Sequence, residues 1–163
     1  SVQGVTLRED LAVITLHGVP NTPGVAARIF AEVARNNILV DDIVQNIYDD
    51  GRLANLGFST NAGDAREARA VGERLAEKLG IAAVSVDEGV SKVSAVGVGM
   101  RTHSGIAATM FEALSHAAIN IENISTSEIV ISCIVRREDG QRALRFLHDA
   151  FKLDQSPAST GAD

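Results

Sequence analysis

The sequence predicts an α+β fold of two ferredoxin-like βαββαβ units, with the N-terminal strand completing the sheet of the second. Three observations carry this. Displaced by 81 positions, the 163-residue chain pairs Gly18 with Gly99, Gly24 with Gly105, Ala26 with Ala107, Ala27 with Ala108, Phe30 with Phe111, Ile38 with Ile119 and Ile43 with Ile124, without a gap. That is an internal repeat. Within each copy the apolar positions switch between strand and helix spacing in the order strand, helix, strand, strand, helix. Only the first copy then has a closing strand, while the chain holds one unassigned strand at its beginning. The expected organisation is residues 1–9 as the strand joining the second unit, 10–89 as the first unit, 90–154 as the second and 155–163 as a disordered tail.

Taken in order, residues 2–7 read as a short strand and 11–16 (LAVITL) as another, apolar enough to be buried on both faces. Residues 18–24 (GVPNTPG) form a turn. Pro23 suits the start of a helix, Thr22 before it can cap, and Val25, Ile29, Phe30 and Val33 make one apolar face. That helix should end near Asn36-Asn37. Residues 38–47 are strand-like, Asp49-Asp50-Gly51 closes a hairpin, and 53–60 runs back antiparallel. Asp64 and Glu67 resemble a capping box for a helix through Leu79, with Ala68, Val71, Leu75 and Leu79 inward and Gly80 at its end. Residues 81–86 close the unit.

The second unit repeats the plan with strand 93–98, loop 99–105 and a helix from Ile106 to about Ala117 that turns Ile106, Met110, Leu114 and Ala117 inward. Strands 119–124 and 128–135 and helix 139–151 follow. Residues 155–163 are too polar to pack. A sheet lacking its last strand leaves an open edge, so residues 2–7 are assigned to it and the first unit becomes an insertion within the second.

Composition excludes several functions. The formal charge is −6 and no basic cluster exceeds Arg136-Arg137, which argues against nucleic acid as a partner. No apolar run approaches the roughly 20 residues of a membrane span, and the N-terminus lacks a signal-peptide layout. The expectation is a cytoplasmic protein with no membrane partner. The single Cys133 lies in the apolar run 129–135 and reads as a buried structural thiol. There is no GxxxxGK[ST], CxxC or HExxH, and Gly97-Val98-Gly99 continues with Met100-Arg101, so the third glycine of a dinucleotide loop is missing. His17, His103, His116 and His148 stand at unrelated spacings, and Asp41 and Asp42 point to opposite faces of a strand. No catalytic residue, metal site or cofactor is expected.

What recurs is a glycine-bearing loop at a helix start: Asn21-Thr22-Pro23-Gly24-Val25-Ala26 in one unit, Thr102-His103-Ser104-Gly105-Ile106-Ala107 in the other. Helix starts carry unpaired backbone N–H groups and the positive end of the dipole, which suit a small carboxylate. An ordinary helix cap would use the same residues. On the neighbouring strand, Asp41 can neutralise an α-ammonium and Gln45, on the same face, offers an amide; Asn120 and Ser127 accompany the equivalent strand of the second unit. Together these groups describe an amino-acid pocket.

The segments GVGMRTHSGIAATMFEAL and INIENISTSEIVISCIV closely resemble the second ACT unit in the tandem regulatory region of aspartate kinase, and PNTPGVAARIF with DDIVQNI resembles the first. The resemblance covers about residues 2–154. It implies allosteric feedback inhibition by threonine, lysine or both in biosynthesis of the aspartate family of amino acids. It further implies an effector held between the first unit of one chain and the second of another unit or subunit. The implied contacts are Asn21, Thr22, Pro23, Gly24, Val25, Ala26, Leu39, Val40, Asp41 and Gln45 in the first unit, and Ile106, Ala107, Asn120, Ile121 and Ser127 in the second. A homodimer through ACT units is implied, with a catalytic subunit or domain that binds ATP and aspartate. Asn21 stands where an aspartate is common and Ala107 where some members have threonine. Both departures bear on lysine against threonine. None of the family's catalytic region is present, so the chain reads as non-catalytic by itself, either a separately made regulatory subunit or part of a longer chain. Alternatives are the ACT regulatory subunit of acetolactate synthase, which would bind valine, and a ligand-free dimerisation module. Gln45, Asn120, Ser127 and the STSEI segment argue against the former.

Overall fold

Charged side chains do not break the first strand. In the computed structural model, which describes residues 2–97 and 103–152, β1 (Val2–Pro20) runs unbroken through Arg8-Glu9-Asp10, where the sequence leads one to expect a gap between two strands. Strand hydrogen bonds are made by the backbone, and these three side chains need only stay exposed, as they do. The same happens in β4 (Ala83–Gly97), which joins the expected strands 81–86 and 93–98 through the exposed Asp87-Glu88.

Between them lie α1 (Val25–Arg35), β2 (Ile43–Tyr48), β3 (Leu53–Asn61) and α2 (Ala65–Leu79); after β4 come α3 (His103–His116), β5 (Asn123–Thr126), β6 (Val130–Arg136) and α4 (Gly140–Phe151). Asp10–Val90 forms one compact unit, and the described parts of Ser1–Glu9 and Ser91–Asp163 form the other. In the first the strand order is β2-β3-β1-β4, and in the second β5-β6-β4-β1. Both are the ferredoxin-like order, and the N-terminal strand closes the sheet of the second unit.

Each unit buries one face of its sheet under two helices. In the first, Ile14 and Leu16 of β1, Leu56 and Phe58 of β3, Ile29 and Val33 of α1, and Val71 and Leu75 of α2 are all at most 5% exposed. Phe30 meets Phe58 edge-on at 5.9 Å. Along 11–16, Val13 and Thr15 are only half-buried, so this strand has one dry face and not the two expected. The core of the second unit is built from Val93, Ala95, Met110, Leu114, Ile131, Cys133, Val135, Ala143 and Leu147, with Val2, Val5 and Leu7 of β1 packed against it.

Element ends differ from expectation for identifiable reasons. Thr22 and Pro23 lie in a turn, and Gly24, with φ 92°, is the N-cap of α1. Only glycine takes that left-handed conformation without strain. The capping box at Asp64 does not form; a 3-10 turn, Ala62–Asp64, leads into α2 without a side-chain cap bond. Residues 38–42 lie outside β2, because Ile38 turns inward to plug the core, at 5% exposed. Asp41 N–H still donates to the Ser59 carbonyl at 2.8 Å, and the Asp42 carbonyl accepts from Ser59 N–H at 3.0 Å. In the second unit β5 begins at Asn123 and not at 119, with Ile119 buried in the equivalent place. The tail 155–163 and positions 98–102 of the second glycine loop lie outside the described residues. No helix among the described residues is long and apolar enough to cross a membrane.

Candidate functional site

The site begins with a bulge. The β1–β3 register runs evenly from Leu11↔Asn61 to Leu16↔Leu56 and then shifts before Val19↔Ala54. Gly18 occupies the shift with φ 70°, and a Cβ there would lie 2.9 Å from the Cβ of Ala82. This re-aims the chain into the loop 21–24. Asn21 pins that loop to the β2–β3 turn, since its N–H donates to the Arg52 carbonyl at 2.9 Å and its Nδ2 to the Gly51 carbonyl at 2.8 Å. An aspartate could not donate the second bond. Val25 N–H reaches the Thr22 carbonyl at 3.3 Å and Arg28 N–H the Gly24 carbonyl at 3.0 Å. The amides of Ala26 and Ala27, in the first turn, have no carbonyl four residues back within the helix.

These elements enclose a cavity of about 370 Å³. Its mouth is the loop Asn21, Thr22, Pro23 and Gly24 with Val25 and Ala26 of α1. Its inner walls are Val19 and Pro20 at the end of β1, Gln45 of β2, and Ala54 and Leu56 of β3. Gln45 pairs with Leu56 and Ile47 with Ala54, so Gln45 stands on the sheet face that looks toward the helices. Helix-start donors at one end, one amide at the side and an aliphatic interior can hold a small carboxylate-bearing molecule.

Seven of the sequence-derived residues are thus brought together: Asn21, Thr22, Pro23, Gly24, Val25, Ala26 and Gln45. Leu39, Val40 and Asp41 do not line this cavity; they lie beyond the near end of β2, with Leu39 71% exposed. Asn120 and Ile121 line a second, open cavity of about 390 Å³ with Phe111, Ser115, Ala118 and Ile119, at the C-terminal end of α3. Ile106 and Ala107 pack against the core of the second unit. Ser127 closes the β5–β6 turn through its N–H to the Val130 carbonyl at 2.8 Å. Sequence reasoning missed Val19, Pro20, Ala54 and Leu56. The signal for the last two was present in the alternation along β3, which turns Ala54, Leu56 and Phe58 to one face.

Cys133 is fully buried, and that burial pushes its thiol up to about 12, so it stays protonated and inert at neutral pH. Among the described residues no three His, Cys, Asp or Glu side chains are grouped to hold a metal ion.

Two ferredoxin-like units in tandem are the architecture of an ACT regulatory region, and the family model described as ACT domain matches residues 93–151. An aspartate kinase of Pseudomonas putida is 42% identical over 160 residues, covering 98% of this chain and 38% of that protein. A crystal structure of aspartokinase alpha and beta subunits superposes with TM-score 0.84 at 39% identity, covering 93% of this chain and 99% of that one. The ligand-free regulatory subunit of aspartate kinase from Thermus thermophilus gives TM-score 0.84 at 36% identity, with the same coverage. The chain belongs to the aspartate kinase family, as its ACT regulatory region. It spans less than two-fifths of the length of the curated relatives it matches first.

Proposed function

We propose that this chain is the amino-acid-sensing part of an aspartate kinase, giving feedback inhibition by threonine, lysine or both in aspartate-family biosynthesis. The first-unit cavity carries the reading. Its helix start suits an α-carboxylate, and Gln45 sits where it can meet the rest of an amino acid. Aspartate phosphorylation by ATP belongs to a catalytic partner, and the similar structure of aspartokinase alpha and beta subunits supports such a partner here.

Control follows by population shift. An effector that binds one arrangement of the regulatory units more tightly than another biases the kinase by its differential affinity and no more. The dimer through ACT units and the cytosolic setting belong to the same proposal. Isothermal titration calorimetry of the chain with threonine, lysine and valine tests it, with Gln45→Ala as the variant that touches the cavity. Threonine or lysine heats weakened in Gln45→Ala are expected. Valine alone binding would transfer the chain's role to branched-chain control, and no heat from any of the three would overturn effector binding.

A further inference from the structure

We infer that Asp50 is a site of spontaneous conversion to isoaspartate, a slow modification that needs only water and lengthens the backbone of the β2–β3 turn. The sequence holds two Asp-Gly dipeptides, Asp50-Gly51 and Asp139-Gly140. Glycine has no Cβ to shield its nitrogen from the preceding carboxyl, so both are open to this chemistry in an unfolded chain. Folding treats them oppositely. Asp50 and Gly51, with φ 57° and 84°, are the exposed central residues of a turn with the positive φ values of type I′, closed by Arg52 N–H to the Asp49 carbonyl at 3.1 Å. Arg52 also takes the Asp49 carboxylate at 2.8 Å, and the Asp50 carboxylate has no partner among the described residues. The Gly51 N–H likewise donates to none of them. At the second dipeptide both reacting groups are engaged: Asp139 pairs with Arg142 at 3.1 Å, and Gly140 N–H donates to the Arg137 carbonyl. Gly140 is also buried, where even a Cβ would lie 3.2 Å from Leu7 and from the Ser91 Oγ.

From the carboxylic acid form of Asp50, the Gly51 nitrogen attacks Cγ. An N–C bond forms, the C–OH bond breaks, and the hydroxyl leaves with the amide proton as water. Water then opens the imide ring at the main-chain carbonyl, whose carbon takes the hydroxyl while the nitrogen takes the proton. The chain now runs through Cβ and Cγ of residue 50, one backbone atom longer and unchanged in mass. The extra atom falls inside the turn and displaces the Gly51 carbonyl, which Asn21 Nδ2 holds at 2.8 Å. Conversion therefore loosens the helix-start loop from the hairpin, whatever that loop binds.

The test ages the folded chain in neutral buffer beside the same chain unfolded in urea and a folded Asp50→Glu variant, whose longer side chain closes no such ring. Tryptic peptides 36–52 and 138–142 are then fragmented by electron transfer, which distinguishes isoaspartate from aspartate and places it. In the folded chain Asp50 should convert at least about tenfold faster than Asp139, which reacts only after its helix start opens. In urea the two should convert at similar rates. Amide hydrogen exchange at residues 21–24 should quicken in the converted fraction. Equal conversion at the two sites of the folded chain overturns the assignment, as does none at Asp50 while the urea sample converts both. Isoaspartate persisting in peptide 36–52 of Asp50→Glu overturns it too, and exchange unmoved by conversion overturns the link to the loop.

Discussion

The two units share a core and differ in their hairpins. Ile29 and Met110, Val33 and Leu114, and Ile38 and Ile119 stand 81 positions apart, and every one is buried. After the hairpin the offset falls to 75, matching Ala65 with Gly140 and Ala68 with Ala143. The second hairpin is therefore six residues shorter. The pair Gln45↔Leu56 corresponds to Thr126↔Ile131, the last pair of the β5–β6 ladder, and Ile47↔Ala54 has no counterpart there. Of the three residues that β2 and β3 give to the inner wall, Gln45, Ala54 and Leu56, Ala54 alone belongs to a ladder pair that the second unit lacks. Repetition preserved what packs and let the hairpins diverge, because core volume is constrained on all sides while a surface hairpin tolerates a change of length.

The sharpest way to break this comparison is to give the first unit the second unit's hairpin. Deleting residues 47–52 should abolish threonine heat in calorimetry and keep the far-ultraviolet circular dichroism. Retained binding would show that the longer hairpin is irrelevant to the site. Equivalent core truncations come next: Ile29→Ala and Met110→Ala should each cost about 2–5 kcal/mol in urea unfolding. A marginal loss at either position would contradict the equivalence of the cores.

The loop glycines separate sterics from backbone conformation. Gly18→Ala places a Cβ against Ala82 at positive φ and should cost about 2 kcal/mol, whereas Gly24→Ala, with open space around it, should cost about 1 kcal/mol from conformation alone. Thermal unfolding would distinguish them.

The smallest effect at neutral pH is that of Cys133. Its folded thiol titrates near 12 against 9.0 unfolded, so its contribution is complete below pH 9 and is lost as pH rises toward 12. The limiting slope is about 1.4 kcal/mol per pH unit, and Cys133→Ala should flatten the stability profile there.

The fold was legible in the sequence because repetition supplied the strand order twice, and the missing last strand pointed to residues 2–7. What could not be read was continuity. Arg8-Glu9-Asp10 and Asp87-Glu88 look like linkers by composition, yet an exposed strand edge accepts charge as readily as a loop does. The helix-start loop and Gln45 share one cavity as local chemistry suggested, but Asp41, expected beside Gln45 on the same strand face, lies outside it because residues 38–42 precede β2. The cavity's interior was not legible: Val19 reaches it only through the bulge at Gly18, and Ala54 through a register that sequence spacing leaves open.

The interruption of the second unit by the first also orders events during synthesis. By the time Val90 is made, every residue of the first unit exists and its core can close. Residues 2–9 have their strand partner once β4 is made, but the apolar face of Val2, Val5 and Leu7 must wait for its cover until α3, β6 and α4 arrive. For that interval the nascent chain carries an uncovered apolar strand face, a surface open to association with other chains. The charged run Arg8-Glu9-Asp10 that follows it keeps that waiting strand next to water.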